Sequence, residues 1–383
     1  MKPKIVRGAV AAAALTMALA GCSTGASSSD AGADASGSTP AGESGSSVID
    51  LELTATVGPN GEEPTPVSEL TLTDDEVAQL KAGGYTAAQL WHTSSQFVDA
   101  VQQGAAAEFG RLGIEVVATT NADMDAGAQA NQIQTAMAKD PDVMIGLPVD
   151  PTSAAAAFQP AVDAGTELVF LSNVPAGYVY GEDYTSIVTD DLFDMGRRAA
   201  EALGEALGGK GEVGVLFYDA EYYVTNQRDA AFLTTLAAEY PDIEVVAQQG
   251  FSDPTNATSI ASGMLTQHPD LAGIYTSWAQ PAQGVLAALR TVGNTTTKVV
   301  TLDLDDPVVV DLATGGSTVA VVADEAFDLG RGMADAAAYA LLGKTAPPFV
   351  VAGALTITRD TIPEGYEQSL HSEVPEAVRS VLD

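Results

Sequence analysis

The sequence predicts an α/β protein built from two Rossmann-like lobes, each a parallel sheet wrapped by helices. From Tyr85 onward, short apolar runs alternate regularly with amphipathic stretches of helical period, the pattern of parallel strands joined by helical crossovers. The alternation runs for about 300 residues, more than one hydrophobic core comfortably serves, so it divides into two lobes. No short-period repeat is visible, so the lobes are alike only in architecture.

The strand candidates are 87–92, 115–119, 143–147, 168–171 and 187–189, followed by 213–218, 243–248, 273–276, 299–302, 319–322 and 349–351. Amphipathic segments lie between them, for example 97–111, 128–139 and 227–239. Upstream, residues 48–84 form an N-terminal extension. Thr73 and Glu76 have capping-box spacing there, ahead of a short helix that stops at Gly83-Gly84.

The amino terminus reads as an export signal. Lys2, Lys4 and Arg7 precede an apolar run from Ala9 to Ala20, and Leu19-Ala20-Gly21-Cys22 follows as a lipobox. The run is shorter than the roughly 20 residues that span a bilayer. Residues 1–21 are therefore expected to be removed, leaving Cys22 as the diacylglycerol attachment site. Residues 22–47, almost wholly Ser, Gly, Ala, Thr and Asp, cannot bury apolar surface and are expected to act as a flexible tether. Cys22 is the single cysteine, which leaves no thiol for an internal disulfide, a nucleophile or a cysteine metal cluster.

The formal charge is −35. Cleavage takes away three cations and no acid, so it becomes −38. Such a surface repels phosphate backbones and anionic headgroups, which argues against nucleic acid and against membrane contact beyond the anchor. Asn121, Asp123 and Asp125 mimic the start of a calcium loop, but Ala126 and Gln132 stand where glycine and a bidentate acid are required. Asp303, Asp305 and Asp306 fail because Pro307 follows. Gly208-Gly209-Lys210-Gly211 lacks Walker spacing, no nucleophile elbow is present, and the three histidines lack ligand spacing. No metal or cofactor is expected.

Several strings, taken in order, resemble the type I periplasmic binding proteins, in particular the ribose-binding branch related to LacI-type repressors. They are 97–107, Pro148 to Pro151, Val188-Thr189-Asp190-Asp191, Gln227-Arg228, Leu265 to Asp270 and Val299 to Asp303, and the match spans 87–357. No helix-turn-helix precedes them, and the lipobox stands in its place. The resemblance implies two lobes joined by a hinge that the chain crosses three times, near Asp190, Asp324 and Val351. Residues 85–189 with 325–351 would make lobe 1, and 190–324 with 352–383 lobe 2.

Ligands of open parallel sheets bind beyond the carboxyl ends of the strands. Carried over by resemblance, the contact positions are Ser95, Phe97, Asn173, Asn226, Arg228, Trp278, Asp303 and Asp324, and His92 joins them from its place at a strand end. Aromatic faces meet C–H surfaces while amide, guanidinium and carboxylate groups pair with hydroxyls, which suits a sugar or polyol. Each residue also has a plainer reading. Phe97 fits a helix core, Asp303 a nearby helix start, Asp324 a hinge position, and Arg228 a pair with Asp219 or Glu221. Ser172-Asn173, Trp278-Ala279 and Asn226 depart from the residues usual in the ribose-binding branch and point away from ribose itself.

The implied function is capture without bond breaking. A monomeric, extracytoplasmic lipoprotein would close on its ligand and present it to an ABC permease. The alternatives are a presensor for a membrane kinase, a binder of a small cationic solute, or an enzyme using Asp303 and Asp324 as a carboxylate pair.

Overall fold

The computed structural model describes residues 48–382, so the expected signal, Cys22 and tether lie outside the described residues. The extension contributes a two-residue strand, β1 (Thr65–Pro66), and helix α1 (Asp74–Gly83). The capping box holds: Thr73 accepts from the Glu76 amide while Glu76 reaches back, and Gly84 closes the helix with a left-handed φ of 65°.

A regular alternation then begins with β2 (Thr86–Trp91), α2 (Gln96–Leu112), β3 (Glu115–Asn121), α3 (Ala126–Met137), β4 (Val143–Gly146), α4 (Pro151–Ala164), β5 (Glu167–Leu171) and β6 (Ser186–Asp190). It continues with α5 (Leu192–Ala206), β7 (Lys210–Tyr218), α6 (Tyr223–Glu239), β8 (Asp242–Phe251), α7 (Ala257–Gln267), β9 (Gly273–Thr276), α8 (Ala279–Val292), β10 (Lys298–Leu302), α9 (Asp306–Ala313) and β11 (Thr318–Asp324). Last come α10 (Ala326–Leu341), β12 (Phe349–Ala352), β13 (Ala354–Ile357), α11 (Ile362–Leu370) and α12 (Glu376–Leu382).

Two sheets result, and they confirm the two-lobed α/β expectation. The first has the order β1-β12-β6-β5-β4-β2-β3 and the second β13-β11-β10-β9-β7-β8. Every pairing is parallel except β11 with β13. The chain passes from the first sheet to the second after β6, returns after β11, and passes back again between β12 and β13. Strands β1 and β13 had no counterpart among the sequence candidates. Strand β1 spans only two residues, and β13 is separated from β12 by Gly353 alone.

The strands divide their side chains by the two-residue period. Ala88, Leu90, Met144, Phe170, Ile187 and Phe349 face the core under α3 and α4. Their neighbours Ala87, Trp91, Ile145, Leu171, Val188 and Val350 face a second core that runs under α2 and α10 and continues beneath α5 and α6. A third core fills the other face of the second sheet.

The edges of the first sheet carry specific residues. At one edge Pro66 of β1, which has no amide hydrogen, is paired with Val351. At the other, the Lys139 ammonium donates to the Val117 carbonyl of β3.

Helices α2 and α10 meet through glycines. A Cβ on Gly330 would lie 1.9 Å from the Val101 carbonyl oxygen, and one on Gly104 would lie 1.9 Å from the Phe327 carbonyl oxygen. Gly330→Ala is expected to cost about 2 kcal/mol, because backbone must move to admit the methyl group. Gly110→Ala, on the open side of α2 with nothing within 4 Å, is expected to gain about 0.5–1 kcal/mol. Urea unfolding midpoints of the two variants measure both effects.

Candidate functional site

Each parallel strand delivers its last residues to the same end of its sheet, and short loops there hand over to the next helix. Polar residues close many of these loops as helix caps: Ser95 caps α2, Asp125 caps α3, Asp150 caps α4 and Asp191 caps α5. The residues of interest lie in this layer.

At its centre is Arg228, in the second turn of α6 and 5% exposed. Its Nη1 donates to Asp303 Oδ1 at 2.9 Å and lies 3.8 Å from Asp324 Oδ1, while Nη2 donates to the Ser277 carbonyl at 3.2 Å. Arg228 thus pairs with Asp303 rather than with Asp219 or Glu221. Burial works against its charge, but Asp303, Asp324 and Asp190 outweigh that and hold the guanidinium above its ordinary range. Asp229, fully buried, accepts from Tyr275 Oη and Ser277 Oγ, each at 2.6 Å, and so fixes the loop that supplies the Ser277 carbonyl.

Asp190 ends β6 of the first sheet and Asp324 ends β11 of the second, and each buried carboxyl group feels the other. Burial pushes Asp190 up to about 7. Burial, reinforced by Asp190 and Asp303, raises Asp324 well above the usual carboxylate range.

Two strand ends adopt backbone that side chains seldom take. Asp303 has φ of 64° and Ser172 φ of 56°, left-handed values that persist where surroundings enforce them. Ser172 Oγ is held by Thr189 Oγ1 at 2.9 Å, and the following Asn173 reaches across to the other lobe. Its Oδ1 accepts from the Val224 amide of α6 at 3.3 Å.

An aromatic wall stands beside this cluster. The Trp278 ring meets Tyr218 edge-on at 5.6 Å and Phe251 at 5.0 Å, and Tyr222 meets Tyr218 at 5.7 Å. The remaining expected residues take other places. Asn226 accepts from the Tyr222 amide at 2.8 Å and donates to the Ala220 carbonyl at 3.0 Å, so it uses its amide to shape its own loop. The Ser95 hydroxyl accepts from Val98 N in capping α2, and Phe97 packs partly against the core. His92 follows β2, half-buried, and burial brings its imidazole down to about 4. No hydrogen bond or ion pair among the described residues joins His92, Ser95 or Phe97 to the Arg228 cluster.

Asp190 and Tyr222 lie in this cluster, though neither was a sequence candidate for the site. A signal for Asp190 is present in the sequence, since a carboxylate closes a wholly buried strand there, as Asp303 follows an apolar one. A surface cavity of about 410 Å³ lies elsewhere, at the amino end of β5 between Glu167, Tyr180, Tyr184 and Lys344. Of the charged groups lining it, Lys344 is paired with Glu76 and Glu167 accepts from Thr185. Among the described residues no group of His, Cys, Asp or Glu is placed to hold a metal, and no helix is long and apolar enough to cross a membrane.

Comparison with known proteins follows the same lines. A family model described as "Periplasmic binding protein domain" matches residues 89–345. No curated protein sequence matches significantly. An ABC transporter solute-binding protein from Agrobacterium vitis, solved with α-D-tagatopyranose, superposes with a TM-score of 0.68 at 23% identity, covering 75% of this chain and 99% of that one. An arabinose-binding protein from Geobacillus stearothermophilus gives 0.66 at 19% identity, covering 74% and 99%. A second Agrobacterium vitis solute-binding protein, solved with allitol, gives 0.63 at 23%, covering 73% and 97%. These likenesses establish the fold.

The raised carboxyl groups of Asp190 and Asp324 have a thermodynamic consequence. A carboxyl group whose pKa is higher folded than unfolded contributes stability that is complete below about pH 4 and is lost as pH rises through about 7. Asp229 and Asp335, raised to about 6 and about 8, act in the same sense. The urea midpoint should therefore fall between pH 4 and pH 7. In Asp324→Asn the amide donates to an ionised Asp190 and the fall should become shallower. Arg228→Met, which strands the carboxylates, should cost about 3–5 kcal/mol at pH 7, measured by the same unfolding.

Proposed function

The chain belongs to the periplasmic binding protein family, and from that premise we propose that it captures a neutral sugar or polyol outside the cytoplasm and presents it to an ABC permease. One observation carries the ligand class. Around the Arg228 cluster, five buried polar atoms have no hydrogen-bond partner among the described residues: Arg228 Nε, Asn173 Nδ2, Tyr222 Oη, Asp190 Oδ1 and Asp324 Oδ1. Unpaired buried groups are costly, and this set mixes donors with acceptors. A hydroxyl both donates and accepts, so a compact polyol satisfies such a set with one functional group repeated. The wall of Trp278, Tyr218 and Tyr222 supplies the apolar face that C–H surfaces need. Solved relatives of the same fold that carry a ketohexose and a hexitol support this reading.

Charge argues against the cationic alternative. Arg228 already sits among the aspartates, its Nη1 2.9 Å from Asp303 and 3.8 Å from Asp324, so a second cation would meet a guanidinium in the same place. Binding breaks no bond: the ligand bridges both lobes and the hinge closes over it. Cys22 would tether the protein to the membrane through lipid.

Calorimetric titration with pentoses, ketohexoses and hexitols tests the ligand class. At least one is expected to bind. Asp303→Asn is expected to weaken it roughly 10- to 100-fold, the worth of a hydrogen bond to a charged group. Failure of the whole panel, or tight binding of a diamine in its place, would remove the assignment. For the anchor, Cys22→Ser should move the protein from the membrane fraction to the medium; retention in the membrane would refute lipid attachment there.

A further inference from the structure

Residues 48–72 precede the stretch that matches the family, which begins at residue 89, yet they are built into the molecule. Ile49 is 1% exposed, within the core shared by α2, α5 and α10. Thr56 is also buried, and its hydroxyl closes on the start of α5 in the second lobe. That hydroxyl accepts from the Phe193 amide at 2.8 Å and donates to Asp191 Oδ1, the carboxylate that caps the helix. The next residue, Val57, accepts at its carbonyl from the Tyr223 hydroxyl. Tyr223 opens α6, also in the second lobe, and lies beside the Val224 amide that binds Asn173 across the cleft.

A few residues further on the same segment is fastened to the first lobe. Thr65 and Pro66 pair with Val350 and Val351 of β12. Val67 fills the place where a Cβ on Gly332 of α10 would fall, at 2.5 Å. The Tyr339 hydroxyl accepts from the Thr71 amide at 3.1 Å and donates to the Thr71 carbonyl at 3.0 Å. Between the two sets of contacts the chain folds back on itself, with the Gly58 amide on the Glu62 carbonyl at 2.8 Å. Eight residue steps separate Val57 from Thr65, at most roughly 28 Å when fully drawn out, and the turn takes up much of that length.

We propose that residues 48–66 are an intramolecular strap that holds the second lobe against the first and so sets how far the cleft stands open before ligand arrives. Opening requires Thr56 and Val57 to leave α5 and α6, or the turn at 58–62 to unfold. The strap thereby favours the lobe separation seen here over wider ones, so less of the ligand's binding energy goes into closing the hinge. The inference rests on hinge-closing capture, but its test needs no ligand.

Spin labels at Thr152→Cys, at the start of α4, and Ser252→Cys, just past β8, place one exposed probe on the rim of each lobe. Cys22→Ser in the same chain leaves these as the only thiols. Electron–electron double resonance without added sugar then reads the separation of the rims. With the strap intact a single narrow distribution is expected. Thr56→Val with Tyr223→Phe should shift it to longer distances, and Thr56→Ser, which keeps the hydroxyl, should leave it narrow. Should the double variant fail to fold, Tyr223→Phe alone deletes one hydroxyl and should shift the distribution in the same direction. An unchanged distribution in a folded variant overturns the strap even if the protein binds sugar. A shifted one supports the strap even if every sugar in the panel fails.

Discussion

A guanidinium buried where two sheets meet is the constraint on which the rest of this structure depends. Taking Arg228 out of water costs several kcal/mol unless carboxylates and carbonyls replace its hydration. The replacements come from different places: Asp303 and Asp324 from strand ends of the second sheet, Asp190 from the first, and the Ser277 carbonyl from a loop that Asp229 holds. They converge only when the carboxyl ends of both sheets face each other. The three crossings therefore do more than connect lobes, because two of them begin at Asp190 and Asp324 themselves. Charge compensation and hinge position are one arrangement.

Most of the fold was legible because parallel sheets state themselves twice. Each buried strand is a short apolar run, and each crossover repeats the helical period, so an error in one is corrected by its neighbour. All eleven strand candidates correspond to strands of the structure, with ends displaced by a few residues. The exceptions have a common cause. Strands β1 and β13 span two and four residues, and their existence depends on β12 and β11 lying alongside. No local pattern encodes that.

The site was legible where a charged residue interrupts apolar surroundings. Asp303 stands out at the end of an apolar strand, whereas Asp324 and Arg228 come from the family resemblance. What the sequence does not display is which partner each group finds. Asn226 looks like a ligand contact until the backbone of 220–222 curls around its amide. Arg228 has near neighbours in Asp219 and Glu221, yet it turns to an aspartate 75 positions away. Tyr222 is one of two adjacent tyrosines, and only the helix start at Tyr223 decides that one faces the aromatic wall and the other the strap. These choices are made by the closure of the 220–222 loop and by what packs around the start of α6.

The two margins of the first sheet bear on a different matter, the behaviour of many copies together. An open sheet margin offers unpaired amides and carbonyls to any passing strand, which is how folded chains polymerise. Here Pro66 occupies one margin and offers no hydrogen to a newcomer, while at the other the ammonium of Lys139 occupies the carbonyl of Val117. Each margin of this sheet is thus obstructed at one point, which makes edge-to-edge pairing of copies through it less favourable.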